Sequence, residues 1–165
     1  MKVFYAYVTA FVIVLMVEVF PTLSTATAVN SAWSRSVRPR LSPPNWVFPV
    51  VWNILYILIA IALAQALMLP SGTKVNILLF IYGFNLLCNV LWSLTYFNQH
   101  DVGTALVILG AIVVSTGCLL YYTFLLLPLW VGMLLVPYQL WTMFAFYLNA
   151  DSYSIVLSKK PRVKN

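Results

Sequence analysis

The sequence predicts an all-α membrane protein, a bundle of five transmembrane helices that forms a single domain over residues 1–165. The first observation is composition: 63% of the residues are hydrophobic and 7% are charged, against about 45–50% and about 25% in soluble domains. The second is that the chain holds five charge-poor runs, each near the roughly 20 residues that a helix needs to cross a bilayer. The third is that Pro, Gly, Ser and most of the charges lie between these runs. This pattern excludes a soluble domain and a disordered chain, and two cysteines are too few for a disulfide scaffold.

The five spans are predicted at about residues 3–23, 47–69, 75–97, 102–125 and 129–149. Their sequences lack the alternation of apolar and polar residues that is typical of a barrel strand. A helix, in contrast, satisfies its own backbone hydrogen bonds in lipid. We therefore expect helices, joined by one long first loop and three short ones.

The N-terminal run also has features of a secretory signal peptide. Met1-Lys2 precedes an apolar stretch, and Ala26-Thr27-Ala28 has the A-x-A form of a cleavage site. Signal peptides have apolar regions of about 7–15 residues, whereas this run is longer and contains Glu18. We therefore predict that it is a retained span.

The basic residues are distributed unequally between the two sides that five spans create. Lys2 and Lys74 fall on one side, and the seven other basic residues fall on the opposite side. Cytoplasmic loops carry the excess of Lys and Arg in membrane proteins. The first loop and the C-terminus are therefore predicted to be cytoplasmic, in a multi-pass protein of the lipid bilayer. The other side holds Arg35, Arg38, Arg40, Lys159, Lys160, Arg162 and Lys164.

Side chains that could carry acid–base or metal chemistry are scarce. The chain has three acidic residues and one histidine, and it contains no H-E-x-x-H, C-x-x-C or P-loop pattern. This argues against a hydrolase, a metal site and a proton-coupled pump, and it favours a binding function that requires no cofactor. The basic C-terminal tail is explained by orientation and anionic lipid, so no nucleic-acid partner is expected.

Three tryptophans are predicted to lie at one depth inside the membrane. Trp52, Trp92 and Trp141 fall five to eight residues inside the loop-proximal ends of their spans, or roughly 7–12 Å from the ends at the rise of an α-helix. Interfacial tryptophans lie at the headgroup level instead, as expected for Trp33, Trp46 and Trp130. The three deeper indoles therefore indicate a buried aromatic site.

Helical spacing adds polar groups to this site. Asn85, Asn89, Trp92 and Tyr96 recur on one face of the third span. The amides have two explanations, hydrogen bonds between helices or contacts in a pocket. The same spacing aligns Tyr56 with Trp52, and Tyr138 with Trp141, Ala145 and Leu148.

A cationic loop covers these aromatic residues. The first loop is long for a helix connection and contains Arg35, Arg38 and Arg40. An aromatic pocket with arginines at its rim suits a large, flat, apolar ligand that bears carboxylates. A tetrapyrrole has all of these features, whereas a sterol matches only the apolar part.

Three segments carry a resemblance to a known family. They are residues 41–56, LSPPNWVFPVVWNILY; residues 89–92, NVLW; and residues 136–141, VPYQLW. In their order and spacing they resemble the signature of the translocator protein or tryptophan-rich sensory protein (TspO/MBR) family. One position departs from the family pattern, since Leu41 replaces an indole of the loop.

This resemblance implies a five-helix bundle, usually a homodimer, that binds porphyrins such as protoporphyrin IX. Some members bind sterols and benzodiazepine-type drugs. Family members lie in bacterial membranes and in mitochondrial outer or secretory membranes, where they act as sensors, sequestering proteins or transporters. Some bacterial members degrade protoporphyrin in light, which would make Trp52 and Trp141 catalytic here, and a stress-regulatory scaffold is a further alternative. The pocket residues that the resemblance implies are Trp33, Trp52, Tyr56, Asn89, Trp92, Trp141, Ala145 and Leu148.

Two features outside this signature also have a predicted role. Glu18 is the acid inside a span, near the loop-proximal end of the first, and we expect it to reach the interface or pair with a loop arginine. Gly103, Gly110 and Gly117 recur every seven residues on the fourth span. Small residues let helices approach closely in lipid, either inside the bundle or at a dimer face.

Overall fold

The computed structural model describes residues 1–25 and 28–159. This part of the chain is mostly helical and contains no strand, so the predicted all-α fold is confirmed. Ala26 and Thr27 of the cleavage-like motif, and Lys160, Arg162 and Lys164 of the tail, lie outside the described residues. Within these described ranges, five helices are long and apolar enough to cross a membrane. The helices are α1 (Lys2–Thr25), α2 (Ala32–Ser36), α3 (Val47–Leu67), α4 (Thr73–Ser93), α5 (Val102–Leu126) and α6 (Leu129–Lys159).

Two helices have features that were not predicted at the end of the bundle that carries residues 28–46, which we call the loop end. The α4 helix continues into one π-helical turn, Leu94–Asn98. The α6 helix ends at Lys159 rather than near residue 149. Hydropathy detects only the apolar part of a helix, and polar residues such as Asp151 and Ser152 continue α6 beyond it.

The five long helices form a closed ring in the order α1, α3, α6, α5, α4, with α4 again in contact with α1. The tightest pairing is that of α5 with α6. The glycine stripe of α5 faces α6, so it serves packing within the bundle, one of the two roles that the sequence left open. A Cβ atom on these glycines would lie 3.1 Å from Tyr153 at Gly103, 3.5 Å from Phe146 at Gly110 and 3.8 Å from Gln139 at Gly117.

A buried amide network joins α4, α5 and α6 in the middle of the ring. The Asn85 side chain is 1% exposed. Its Nδ2 donates to Ser115 Oγ at 2.8 Å and to Thr116 Oγ1 at 3.0 Å, while its Oδ1 accepts a 2.7 Å hydrogen bond from the Tyr138 hydroxyl. Of the two explanations for this amide, Asn85 therefore follows the first: it forms hydrogen bonds between helices and does not contact a pocket.

Candidate functional site

A cavity of about 840 Å³ lies at the loop end of the bundle. Its size is within the roughly 300–1,000 Å³ of small-molecule pockets. The wall comes from α1, α3, α4, α6 and the first loop, and the described part of α5 contributes no residue to it. The predicted site residues in this wall are Arg35, Arg38, Trp52, Tyr56, Asn89, Trp92, Trp141, Ala145 and Leu148.

The aromatic side chains of the wall pack against one another across two helices. Trp52 stacks on Tyr56 with ring centroids 5.4 Å apart and an angle of 29° between the rings, because the two are one turn apart on α3. The Trp52 ring also lies 6.4 Å from that of Trp92 on α4, and the Trp92 ring lies 5.8 Å from Tyr96. Together they form a continuous π surface on which a flat ligand can stack.

Hydrogen bonds fix the orientation of the Trp92 indole. Its Nε1 donates to Asn149 Oδ1 at 3.0 Å, and Asn149 Nδ2 donates to the carbonyl of Val102 at 3.0 Å. The Asn149 side chain is 2% exposed. The indole N–H is thus used within the protein, so Trp92 offers a ligand its ring rather than a hydrogen bond.

Asn89 is held by groups that lie behind the wall. Its Nδ2 donates to the Tyr138 hydroxyl at 2.7 Å and to the carbonyl of Asn85 at 2.9 Å. Tyr138, which we predicted in the site, is fully buried and does not line the cavity. Its place in the structure is behind Asn89, whose amide it orients.

Two of the three loop arginines line the cavity. Arg35 Nη1 donates to the carbonyl of Asn30 at 2.6 Å, and Arg38 Nη2 donates to the carbonyl of Pro43 at 2.8 Å. Arg40, also predicted to meet a ligand carboxylate, is exposed and lies outside the wall. The rim of the cavity therefore carries two guanidinium groups, each with further N–H donors.

Trp33 packs the first loop against the turn that follows α4, and it does not line the cavity. Its ring stacks on His100 at a centroid distance of 4.1 Å and meets Tyr96 edge-on at 5.5 Å. His100 lies just after the π-helical turn and has a φ of 58°. The resemblance places Trp33 in the pocket, whereas the structure places it between the loop and the turn that follows α4.

The polar extension of α6 holds the same loop from the other side. The backbone N–H of Arg40 donates to Asp151 Oδ2 at 2.9 Å, and Lys159 Nζ donates to the carbonyl of Ser36 at 2.5 Å. These contacts come from the residues beyond the predicted end of the last span. Hydropathy alone therefore missed the part of α6 that forms hydrogen bonds to the first loop.

Several wall residues were not predicted. Trp46, which we assigned to the interface, is 67% exposed yet lines the cavity. Phe48 also lines it, and its position four residues before Trp52 was a signal that could have identified it. Glu18 is in the wall as well. Within the described residues no ion pair joins Glu18 to Arg35 or Arg38, which donate to loop carbonyls, so the expected pairing is not found there. The alternative, that Glu18 reaches the interface, stays a prediction.

Comparisons with known proteins agree with this architecture. The model of the TspO/MBR family matches residues 9–154. The chain is 35% identical over 134 residues to "Tryptophan-rich protein TspO" of Chlorobaculum tepidum, covering 76% of this chain and 81% of that protein. It is 31% identical over 134 residues to "Protein CrtK" of Rhodobacter capsulatus, covering 79% and 82%. It is 30% identical over 115 residues to "Tryptophan-rich sensory protein" of Cereibacter sphaeroides, covering 70% of each.

Proposed function

Because this chain belongs to the TspO/MBR family of integral membrane proteins, we propose that its loop-end cavity binds tetrapyrroles of the protoporphyrin or haem type. The protein then acts as a sensor, a sequestering protein or a transporter for them. The observation that carries this proposal is the placement of the stacked Trp52, Tyr56 and Trp92 rings and two loop arginines in one cavity.

The two parts of the cavity would contribute unequally to affinity. Stacking of a macrocycle on the aromatic wall buries a large apolar area and adds about 0.5–1.5 kcal/mol per ring pair. Carboxylate pairs with the exposed Arg35 and Arg38 contribute only about 0–1 kcal/mol each. The rings should therefore determine the affinity for porphyrins, and the arginines should determine the orientation of the bound ligand.

Equilibrium titration of the purified protein with protoporphyrin IX, haem and cholesterol tests this proposal. We expect both porphyrins to bind more tightly than cholesterol. In Trp52→Ala and Trp141→Ala the protoporphyrin Kd, followed by porphyrin absorbance, should rise about tenfold or more, a loss of about 1.4 kcal/mol. Trp130→Phe is the matched control, since this half-exposed indole lies at the opposite end of α6. Unchanged affinity in both cavity variants, with the fold intact, would refute the assignment of the site.

Light-dependent breakdown of bound protoporphyrin is a second candidate function. It is supported by the presence of both Trp52 and Trp141 in the wall, the indoles to which the resemblance assigns that activity. Illuminated protein with protoporphyrin should then lose absorbance faster than protoporphyrin in detergent, and Trp52→Phe should slow the loss. Equal rates with and without protein would reject catalysis.

A further inference from the structure

A carboxylate from α1 lies in the wall of the same cavity. Glu18 shares this wall with Leu15, Val19 and Thr22, which follow one face of the helix. The side chain is partly exposed. The backbone carbonyl of Glu18 accepts a hydrogen bond from Thr22 Oγ1 at 2.7 Å. Within the described part of the chain, no hydrogen bond or ion pair engages the carboxylate.

The cations of the cavity are on another element. Arg35 and Arg38 belong to the loop and donate to the carbonyls of Asn30 and Pro43. The cavity therefore has positive charge on its loop side and negative charge on its α1 side. A partly buried carboxylate is stabilised when a cation approaches it.

We propose that Glu18 makes the cavity a binding site for aromatic ammonium ligands. The ammonium group pairs with the Glu18 carboxylate, and the aromatic body stacks on the wall formed by Trp52 and Tyr56. This class of ligand goes beyond the tetrapyrroles proposed above, whose carboxylates would meet the loop arginines instead. It requires only the cavity and the Glu18 carboxylate, which has no hydrogen-bond or ion-pair partner among the described residues.

The neighbouring rings suit a cation as well as an aromatic body. Tyr56 lines the same cavity as Glu18. Trp52 stacks on Tyr56 at 5.4 Å, and the face of an indole or phenol attracts an ammonium group. A ligand amine near Glu18 would therefore gain from both the carboxylate and the rings.

A matched pair of fluorescent probes tests this proposal. 1-Pyrenemethylamine is a cation at neutral pH, and 1-pyrenemethanol is its neutral near-isostere. Both are titrated into the protein in nanodiscs of zwitterionic lipid, with empty nanodiscs to correct for partition, and binding is followed by energy transfer from tryptophan to pyrene. We expect the wild type to bind the amine about tenfold more tightly than the alcohol.

Variants at position 18 assign that preference to the carboxylate. Glu18→Gln and Glu18→Ala should bind the two probes equally while keeping the affinity for 1-pyrenemethanol, which also reports an intact cavity. Glu18→Asp should retain most of the preference. Equal affinities in the wild type, or an undiminished preference in the two neutral variants, would overturn the proposal. Because protoporphyrin is absent from these titrations, the result is independent of whether the cavity binds tetrapyrroles.

Discussion

The indole N–H of Trp92 donates a 3.0 Å hydrogen bond to the side chain of Asn149, which joins α4 to α6 at the edge of the cavity. Asn149 in turn donates to the carbonyl of Val102 at the start of α5. One buried amide thereby sets the geometry of three helices and of a wall indole. The orientation of the aromatic surface thus depends on Asn149, which is itself a wall residue of the cavity.

Replacement of Asn149 by Leu should destabilise the protein and weaken porphyrin binding together. The change removes both hydrogen bonds and leaves the Trp92 N–H and the Val102 carbonyl without this partner. We expect a loss of about 1–2 kcal/mol in the free energy of unfolding in detergent. Asn98→Leu is the control, since Asn98 is exposed at the end of the π-helical turn. Equal effects of the two changes would contradict this role of Asn149.

The hydrogen bond between Asn85 and Tyr138 should appear as a coupling energy. Asn85→Ala and Tyr138→Phe each remove the 2.7 Å contact from the tyrosine hydroxyl to Asn85 Oδ1. In a double-mutant cycle of unfolding free energies we expect a coupling of about 0.6 kcal/mol, the average for hydrogen bonds between membrane helices, and at most about 1.7 kcal/mol. Strictly additive effects would show that the two groups do not interact.

The amide of Arg40 should exchange faster when Asp151 is altered. Asp151 Oδ2 accepts the hydrogen bond from this amide, so Asp151→Ala leaves it open to solvent. Loss of about 1 kcal/mol of protection predicts roughly fivefold faster hydrogen exchange at the Arg40 amide. Ser154→Ala on the same helix segment should leave that rate unchanged, because its hydroxyl bonds within α6. Exchange at the wild-type rate in Asp151→Ala would argue against this attachment of the loop.

Alanine at the three α5 glycines should have graded effects. Alanine favours a helix over glycine by about 1 kcal/mol, and a Cβ at Gly110 or Gly117 would make an ordinary contact with α6. These two variants should therefore unfold at the wild-type temperature or above. At Gly103 the Cβ would lie 3.1 Å from the Tyr153 ring, so Gly103→Ala should be the least stable of the three. A reversed order in thermal unfolding would contradict the packing described for α5 and α6.

Labelling of single cysteines tests the predicted orientation in the membrane. Cys88 and Cys118 are first replaced by alanine, and Leu41→Cys and Ser71→Cys then place one exposed thiol at each end of the bundle. With the first loop cytoplasmic, an impermeant maleimide added to intact cells should react at position 71. Position 41 should react only after the cells are opened. The opposite pattern of labelling would show that the predicted orientation is wrong and that the first loop lies outside the cytoplasm.

The sequence predicted the depth of the site residues along their spans better than the direction in which their side chains point. Trp52, Trp92 and Trp141 were grouped by their distance from the span ends, and all three line the cavity. Tyr138 lies at a similar depth, yet it faces the buried amides. Trp33 was expected in the pocket and instead packs on His100. Depth follows from residue number along a helix, whereas direction requires the rotation of each helix and the path of the loop.

The amino-acid sequence by itself determined that the protein lies in a lipid bilayer, where its five spans fall and how deep the aromatic residues lie along them. Hydropathy and helical rise are properties of single segments, so no tertiary contact is needed to read them. Only the tertiary structure decided the ring order of the helices, the burial of Tyr138 and the position of Glu18 in the cavity wall. Spans that are apolar on every side carry no amphipathic pattern to orient them. In lipid their rotation is set instead by close packing and hydrogen bonds to neighbouring helices.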